Sequence, residues 1–251
     1  MKDAPAMRSP RLLAALAMAA CVCAHAQRTE YAFRWNPAEG GPATAQQAAA
    51  QLGISDDRPR AFEVRYLDLR RPAGLPDDSY SAVARERTDG DGPESTYKVR
   101  APFSKAASKL LSTWACPLVG PKRQSKLEVD VNWAVDEAAK TAHPDAAPTP
   151  REAISFSCSV EAAAQAAFPP ATGMVPKPCV SQVRRLKSRD DWKVEEWLLP
   201  TGQRIVELSF SQKQGSRAHR SAFQQRVDAL LAAGARPLAD SKTLLGSTCP
   251  A

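Results

Sequence analysis

The chain has 251 residues and a formal net charge of +7 at pH 7. A positive excess of this size, spread over a surface, mainly serves solubility and by itself selects no class of partner. After residue 26, the cysteines and histidines form neither a Cys-x-x-Cys pair nor a Cys/His cluster, so this part of the sequence argues against a structural zinc site.

Residues 1–26 have the pattern of an export signal. Three cations precede the apolar run LLAALAMAACVCA, and a small-x-small cleavage site ends at Ala26. The apolar run is too short to span a bilayer as a stable helix. We therefore predict cleavage near Ala26 and a periplasmic or secreted protein without a membrane span. Lipidation at Cys21 is the alternative, although the residues before it match a lipoprotein cleavage box poorly.

Cleavage would leave four cysteines, which are Cys116, Cys158, Cys179 and Cys249. An even number of cysteines in an exported chain predicts two disulfides, each worth typically about 2–4 kcal/mol. Three pairings are possible, and the sequence does not choose among them.

Eight segments are predicted to be β-strands, because apolar and polar residues alternate in them or because β-branched and aromatic residues are frequent. In chain order they are residues 29–35, 61–69, two segments flanking a turn within residues 79–100, and residues 126–133, 179–187, 192–199 and 203–210.

Helices are predicted over residues 44–53, 103–115 and 221–234. The last one has a capping serine at Ser221 and an apolar stripe of the kind that packs on a core. Residues 134–178 are rich in alanine and proline and are predicted to be mostly loop. Within them, residues 155–167 fit either a strand or a helix.

The two strands within residues 79–100 place several cations on one face. Arg85 and Arg87 alternate on the first strand, and Thr96, Lys98 and Arg100 alternate on the second. In an open sheet packed on helices, such a face is solvated. If the sheet closes into a barrel with helices outside, the same face lines a tunnel.

The order of short motifs along the chain favours the tunnel. The first strand carries Glu30-x-Ala32-x-Arg34, and the sequence RYLD follows at residues 65–68. The later motifs are Arg85-x-Arg87, Thr96-x-Lys98, the acidic pair Glu128 and Asp130, the basic Arg184, Glu207-x-Ser209, and Ser241-Lys242 after the last helix. This ordered set resembles the CYTH superfamily, also called the triphosphate tunnel metalloenzymes, over residues 29–243.

The resemblance implies an α+β fold, namely an eight-stranded antiparallel β-barrel or tunnel with helices packed outside. It implies a single domain over residues 27–251, with an Ala/Pro-rich insertion at about residues 134–178. It also implies that cations converge on a phosphate-rich ligand from several walls, because guanidinium groups grip phosphate oxygens in pairs. The expected anion-binding residues are Arg34, Arg85, Arg87, Lys98, Arg100 and Arg184.

The resemblance further implies a Mg²⁺ or Mn²⁺ site built from carboxylates. The candidates are Glu30, Glu128, Asp130 and Glu207. This chain departs from the family pattern, because Ala32 and Ser209 stand where the family has a second glutamate. The same four acids are equally compatible with simple pairing to the neighbouring arginines.

We therefore expect an exported tunnel that binds polyphosphate or another polyanion, with weak or no catalysis. The alternatives are a metal-dependent triphosphate or polyphosphate phosphohydrolase and a non-catalytic scaffold. An outer-membrane barrel is disfavoured, because strands such as SYSAVARER are too polar for an apolar outer band. No nucleic-acid partner is expected, because no aromatic residues are interleaved with the cations for base stacking.

Overall fold

The computed structural model describes residues 28–55, 59–69, 74–118, 120, 122–136, 138, 141, 146–161, 174–238 and 240–250. The predicted leader and Cys21 lie outside these residues. Within the described part of the chain, no helix has the length and apolarity needed to cross a membrane.

Within the described residues, ten strands form one sheet. They are β1 (Arg28–Trp35), β2 (Arg60–Asp68), β3 (Ser81–Asp89), β4 (Gly92–Pro102), β5 (Gln124–Ala134), β6 (Thr149–Glu161), β7 (Val175–Pro176), β8 (Ser181–Lys187), β9 (Trp192–Leu198) and β10 (Arg204–Lys213). Nine of them run in the order β3-β4-β6-β5-β1-β10-β9-β8-β2, and β2 pairs back with β3, so the sheet closes into a barrel. The two-residue β7 pairs only with the end of β2.

The barrel is mixed, which corrects the expectation of eight antiparallel strands. β1 and β5 are parallel, with Glu30 opposite Asp130, whereas the other pairs around the ring are antiparallel. The physical reason is parity. An odd number of strands around a closed ring cannot alternate in direction at every step, so nine strands require at least one parallel pair.

The additional strand is β6, which lies within the region predicted to be an insertion. It enters the sheet between β4 and β5. Its outward residues Ile154, Phe156 and Cys158 are buried under the outer layer, and the inward Ser157 and Ser159 face the barrel interior. Serine and alanine give weak strand signals, so composition left this segment ambiguous, and pairing with two neighbours decides it.

Within the described ranges, four α-helices of at least five residues lie outside the strands, as expected. They are α1 (Ala45–Gln51), α2 (Lys105–Ser112), α3 (Arg217–Ala232) and α4 (Lys242–Gly246). The apolar stripe of α3 packs on the barrel, with the Phe223 ring 4.8 Å from Trp133 and 5.8 Å from Trp192. α3 begins four residues before the predicted start, because Ser216 caps it by accepting a hydrogen bond from the amide of His219.

Two disulfides select one of the three possible pairings. Cys116 pairs with Cys158 and ties the segment after α2 to β6, with a Cα–Cα distance of 5.4 Å. Cys179 pairs with Cys249 and ties the segment before β8 to the chain after α4, with a Cα–Cα distance of 5.6 Å. Two bridges of this kind fit an oxidising, exported environment.

Candidate functional site

The inward faces of the strands enclose a polar cavity of about 370 Å³. Eleven lysine and arginine side chains and seven carboxylates line it, an excess of four positive charges. On most of the strands the apolar face points outward to the helices, whereas Phe62, Val64, Val83 and Trp197 add an apolar patch to the cavity lining. The cations that alternate along β3 and β4 therefore line an enclosed space and not a solvated outer surface.

Five of the six cations predicted to bind an anion line this cavity. They are Arg34, Arg85, Arg87, Lys98 and Arg100. The sixth, Arg184, lies on the outer surface beside α1, and its neighbour Arg185 lines the cavity instead. Adjacent arginines leave the facing of β8 undecided in sequence, and a shift of one residue reverses it.

All four predicted carboxylates also line the cavity. Ligand oxygens of Glu30, Glu128 and Asp130 lie within 4.8 Å of one another. Glu207 does not join this group. It forms an ion pair with Arg34 and a second one with Lys242 at 2.6 Å.

Asp130 anchors the three-carboxylate cluster of Glu30, Glu128 and Asp130. Its side chain is 3% exposed, and its Oδ2 lies 2.7 Å from Arg100 and 3.2 Å from Lys98. Burial alone would raise the pKa of Asp130, but Lys98 and Arg100 outweigh burial and lower it to about 2. Asp130 is therefore a permanent anion at neutral pH.

The other two carboxylates of the cluster differ from each other. Burial would raise the pKa of Glu30, but Lys193 and Lys98 outweigh it and lower that pKa. Burial and then the charge of Glu30 raise the pKa of Glu128, because Lys98 compensates only in part. Glu128 is thus the carboxylate of the cluster that a further positive charge would stabilise most.

A second network lies at the end of the barrel where β1 terminates. Lys242, from α4, reaches inward and donates to Glu195 at 3.0 Å and to Glu207 at 2.6 Å. Its Nζ also lies 4.7 Å above the Trp197 ring. Burial would raise the pKa of Glu195, but Lys242 outweighs it and lowers the pKa to about 2. We call this end of the barrel, where Ser241, Lys242 and Thr243 line the cavity, the closed end.

Four cavity cations make no ion pair with a carboxylate among the residues that the structure describes. They are Arg28, Arg85, Lys126 and Arg185, from four different strands. The Nε of Arg185 is buried and has no hydrogen-bond partner in the described part of the chain. The guanidinium of Arg185 lies 5.3 Å from the centre of the Phe62 ring, and the guanidinium of Arg87 lies 5.0 Å from it.

Several cavity residues were absent from the predicted site, although the same alternation contains them. Arg28 lies two residues before Glu30, and Lys126 lies two residues before Glu128, so each pair shares one strand face. Extending the inward pattern to the strand ends would have found both. Lys242 was noted only as part of a Ser-Lys pair, and no local pattern shows that its side chain enters a barrel.

No protein-family model matches the chain, and no curated protein matches it. Among solved structures, the PH1012 protein from Pyrococcus horikoshii OT3 matches 87% of this chain and 98% of its own, at 11% identity and a TM-score of 0.45. The PH1819 protein from the same organism matches over 86% and 97%, at 11% identity and a TM-score of 0.45. A conserved hypothetical protein from Pyrococcus furiosus matches over 86% and 99%, at 9% identity and a TM-score of 0.40.

Proposed function

We infer that this protein is a divergent, exported CYTH-like tunnel that binds a phosphate-rich polyanion inside its barrel. The observation that carries this proposal is the excess of four positive charges on the cavity lining. Four of the lining cations have no carboxylate partner among the described residues, and this number equals the excess. Enclosed charges of one sign repel and are poorly solvated, so a bound anion would stabilise the lining.

The positions of these cations favour an extended anion. Arg28, Arg85, Lys126 and Arg185 come from β1, β3, β5 and β8, so positive charge meets the ligand from several walls. Guanidinium groups bind phosphate oxygens through paired hydrogen bonds. A triphosphate carries three to four negative charges, roughly the excess on the lining.

Metal-dependent hydrolysis of triphosphate or polyphosphate is the second candidate, and the three-carboxylate cluster favours it. Oxygen ligands from Glu30, Glu128 and Asp130 suit Mg²⁺ or Mn²⁺. Burial and then the charge of Glu30 raise the pKa of Glu128, and a bound cation would offset both effects. A bound metal would neutralise phosphate charge and help to activate water.

The carboxylates support one metal ion rather than two. Ala32 and Ser209 face the cavity and supply no carboxylate, and Glu207 is occupied by Arg34 and Lys242. We therefore place ligand binding ahead of catalysis. In the scaffold alternative, the internal ion pairs serve only to satisfy a polar interior.

One experiment separates the three possibilities. The purified protein is incubated with tripolyphosphate and Mn²⁺ or Mg²⁺, and phosphate release and thermal stability are measured together. At a ligand concentration of about 100 times the dissociation constant, binding should stabilise the fold by roughly 2.7 kcal/mol. A stability increase without release supports binding, and release that Glu128→Gln abolishes supports hydrolysis.

A matched pair of variants tests whether the cavity is the site. Arg85→Gln removes an inward cation, and Arg184→Gln removes an outward one. The proposal requires that Arg85→Gln weaken the stabilisation by tripolyphosphate and that Arg184→Gln leave it unchanged. Equal effects of the two variants, or no stabilisation of the parent protein, would leave the scaffold as the better description.

A further inference from the structure

The C-terminal segment, residues 241–250, covers the closed end of the barrel. Ser241, Lys242 and Thr243 line the cavity from this side. Lys242 reaches Glu195 and Glu207 inside the barrel. The segment therefore acts as a cover that also contributes a charged side chain to the cavity.

Besides the ion pairs of Lys242 with Glu195 and Glu207, the noncovalent attachment of this cover rests on one short helix. α4 has only five residues, and the side chain of Leu244 is 56% exposed. Beneath the helix, Gly246 packs on Tyr66 and Ser181. The hydroxyls of Tyr66 and Ser181 are buried without a hydrogen-bond partner among the described residues. Undocking would let water reach both hydroxyls and offset part of the lost contact.

A covalent bond holds the cover in place. Cys249 lies three residues beyond α4, and its disulfide partner Cys179 lies just before β8 at the same end of the barrel. Both of these cysteines are partly exposed. In the other disulfide, Cys116 is also partly exposed but Cys158 is fully buried, so only one of its two sulfurs is open to attack. Access favours reduction of Cys179–Cys249 before Cys116–Cys158.

We propose that the Cys179–Cys249 disulfide is a redox-sensitive latch that keeps the closed end of the tunnel shut. An external dithiol reduces it in two exchange steps. One thiolate of the dithiol attacks one disulfide sulfur, which forms a mixed disulfide and releases the other cysteine as a thiolate. The second thiolate of the dithiol then attacks its own sulfur in the mixed disulfide and releases the remaining cysteine thiolate. The dithiol is oxidised to its own disulfide, and Cys179 and Cys249 take up two electrons and two protons as free thiols.

Opening the latch changes the tunnel in two ways. Residues 241–250 are released from the barrel end, which provides a second entrance. Lys242 leaves the cavity, so Glu195 and Glu207 lose a cation and the positive excess on the lining falls. This consequence for ligands rests on the proposed function. We expect the oxidised form to retain a polyanion and the reduced form to release it faster.

Hydrogen exchange on the full chain tests the latch without any ligand. Amides of Leu245, Ser247 and Thr248 donate to backbone carbonyls within the cover. In the double variant Cys179→Ser/Cys249→Ser these amides should exchange about tenfold faster, or more, than in the oxidised parent protein. The matched double variant Cys116→Ser/Cys158→Ser should leave them unchanged.

The parent protein titrated with dithiothreitol provides a second measurement if either variant folds poorly. The exchange rate at the cover should rise as Cys179–Cys249 is reduced, while amides of β10 stay protected. A change of less than about twofold at the cover, or the same change in both double variants, overturns the latch.

Tripolyphosphate dissociation from the two redox forms completes the test. Faster dissociation from the reduced form supports the consequence for ligands. Faster exchange at the cover with no tripolyphosphate binding in either form would refute the proposed function and leave the latch standing. Tripolyphosphate binding with no redox effect on hydrogen exchange at the cover would refute the latch and leave the proposed function standing.

Discussion

Replacing Asp130 with asparagine removes one buried charge and changes little else in shape. Asp130 is 3% exposed and pairs with Arg100 at 2.7 Å and Lys98 at 3.2 Å. Asp130→Asn leaves both cations without this partner in a cavity that already has excess positive charge. We expect lower stability of the ligand-free protein and, if the cavity binds a polyanion, tighter binding because Arg100 and Lys98 become available.

The size of the loss follows from the pKa of Asp130. The pKa falls from 3.8 to about 2, and at about 1.36 kcal/mol per unit this corresponds to on the order of 2 kcal/mol. Breaking a fully buried ion pair typically costs about 3–5 kcal/mol. Lys98 and Arg100 are 19% and 33% exposed, so water reaches them in part. Relief of repulsion on Glu128 offsets a further part. We therefore expect a loss of about 2–3 kcal/mol at pH 7.

The pH dependence distinguishes charge from packing. The folded-state pKa of Asp130 is depressed, so its contribution is present in full above the ordinary pKa of 3.8 and disappears as the pH falls towards about 2. Urea unfolding of the parent protein and of Asp130→Asn, in the presence of a chelator, should show a constant difference from pH 7 to pH 5. That difference should shrink between pH 4 and pH 3.

Asp136→Asn is the matched control. Asp136 is 57% exposed and pairs with Arg151 at 2.9 Å on the surface, so its loss should change stability by less than about 0.5–1 kcal/mol. If Asp130→Asn destabilises equally at pH 7 and pH 3, packing and not charge is responsible. If it destabilises no more than Asp136→Asn at pH 7, the network of Asp130 with Lys98 and Arg100 does not stabilise the fold.

Three further outcomes follow from the geometry. Arg185→Gln should lower tripolyphosphate affinity by about tenfold or more and change the stability of the free protein little, because Arg185 forms no ion pair among the described residues and its Nε has no hydrogen-bond partner there. Arg184→Gln should change neither; isothermal titration and urea unfolding measure both, and equal affinity losses would contradict the assigned facing of β8. Phe223→Ala should cost about 3–5 kcal/mol in urea unfolding, since Phe223 is fully buried among aromatic rings; a loss under about 1 kcal/mol would show that α3 is not packed as described. Gly246→Ala should speed hydrogen exchange in α4 while β10 stays protected, because the added Cβ would lie 2.7 Å from the Tyr66 ring; unchanged exchange would mean that the ring moves away freely.

Much of the barrel follows from local patterns. Seven predicted strands correspond to strands of the structure in which polar and apolar residues alternate, such as β5 with Leu127, Val131 and Trp133 on one face. The three predicted helices correspond to α1, α2 and α3. The eighth predicted strand, residues 179–187, begins at Ser181 in the structure. The segment that forms β6 was left undecided between strand and helix, because alanine, serine and proline in its neighbourhood have low strand propensity.

The residues of the candidate site could be predicted wherever the sequence decided which face of a strand they occupy. Arg85, Arg87, Lys98 and Arg100 alternate without ambiguity, and all four line the cavity. Arg184 does not, because two adjacent arginines allow either register and only the pairing of β8 with β2 and β9 selects one. The network of Lys242 with Glu195 and Glu207 joins residues from three separate elements, which no sequence window contains.

The sequence by itself determined which residues share a strand face, because side chains alternate along a strand whatever the fold. It also determined that four cysteines remain after the predicted leader. Only the tertiary structure decided that the polar face lies inside, because closure of the sheet and coverage by helices depend on contacts between distant segments. Tertiary contacts likewise decided the strand number, the disulfide pairing and which charges compensate each other, since each depends on which strands become neighbours around the ring.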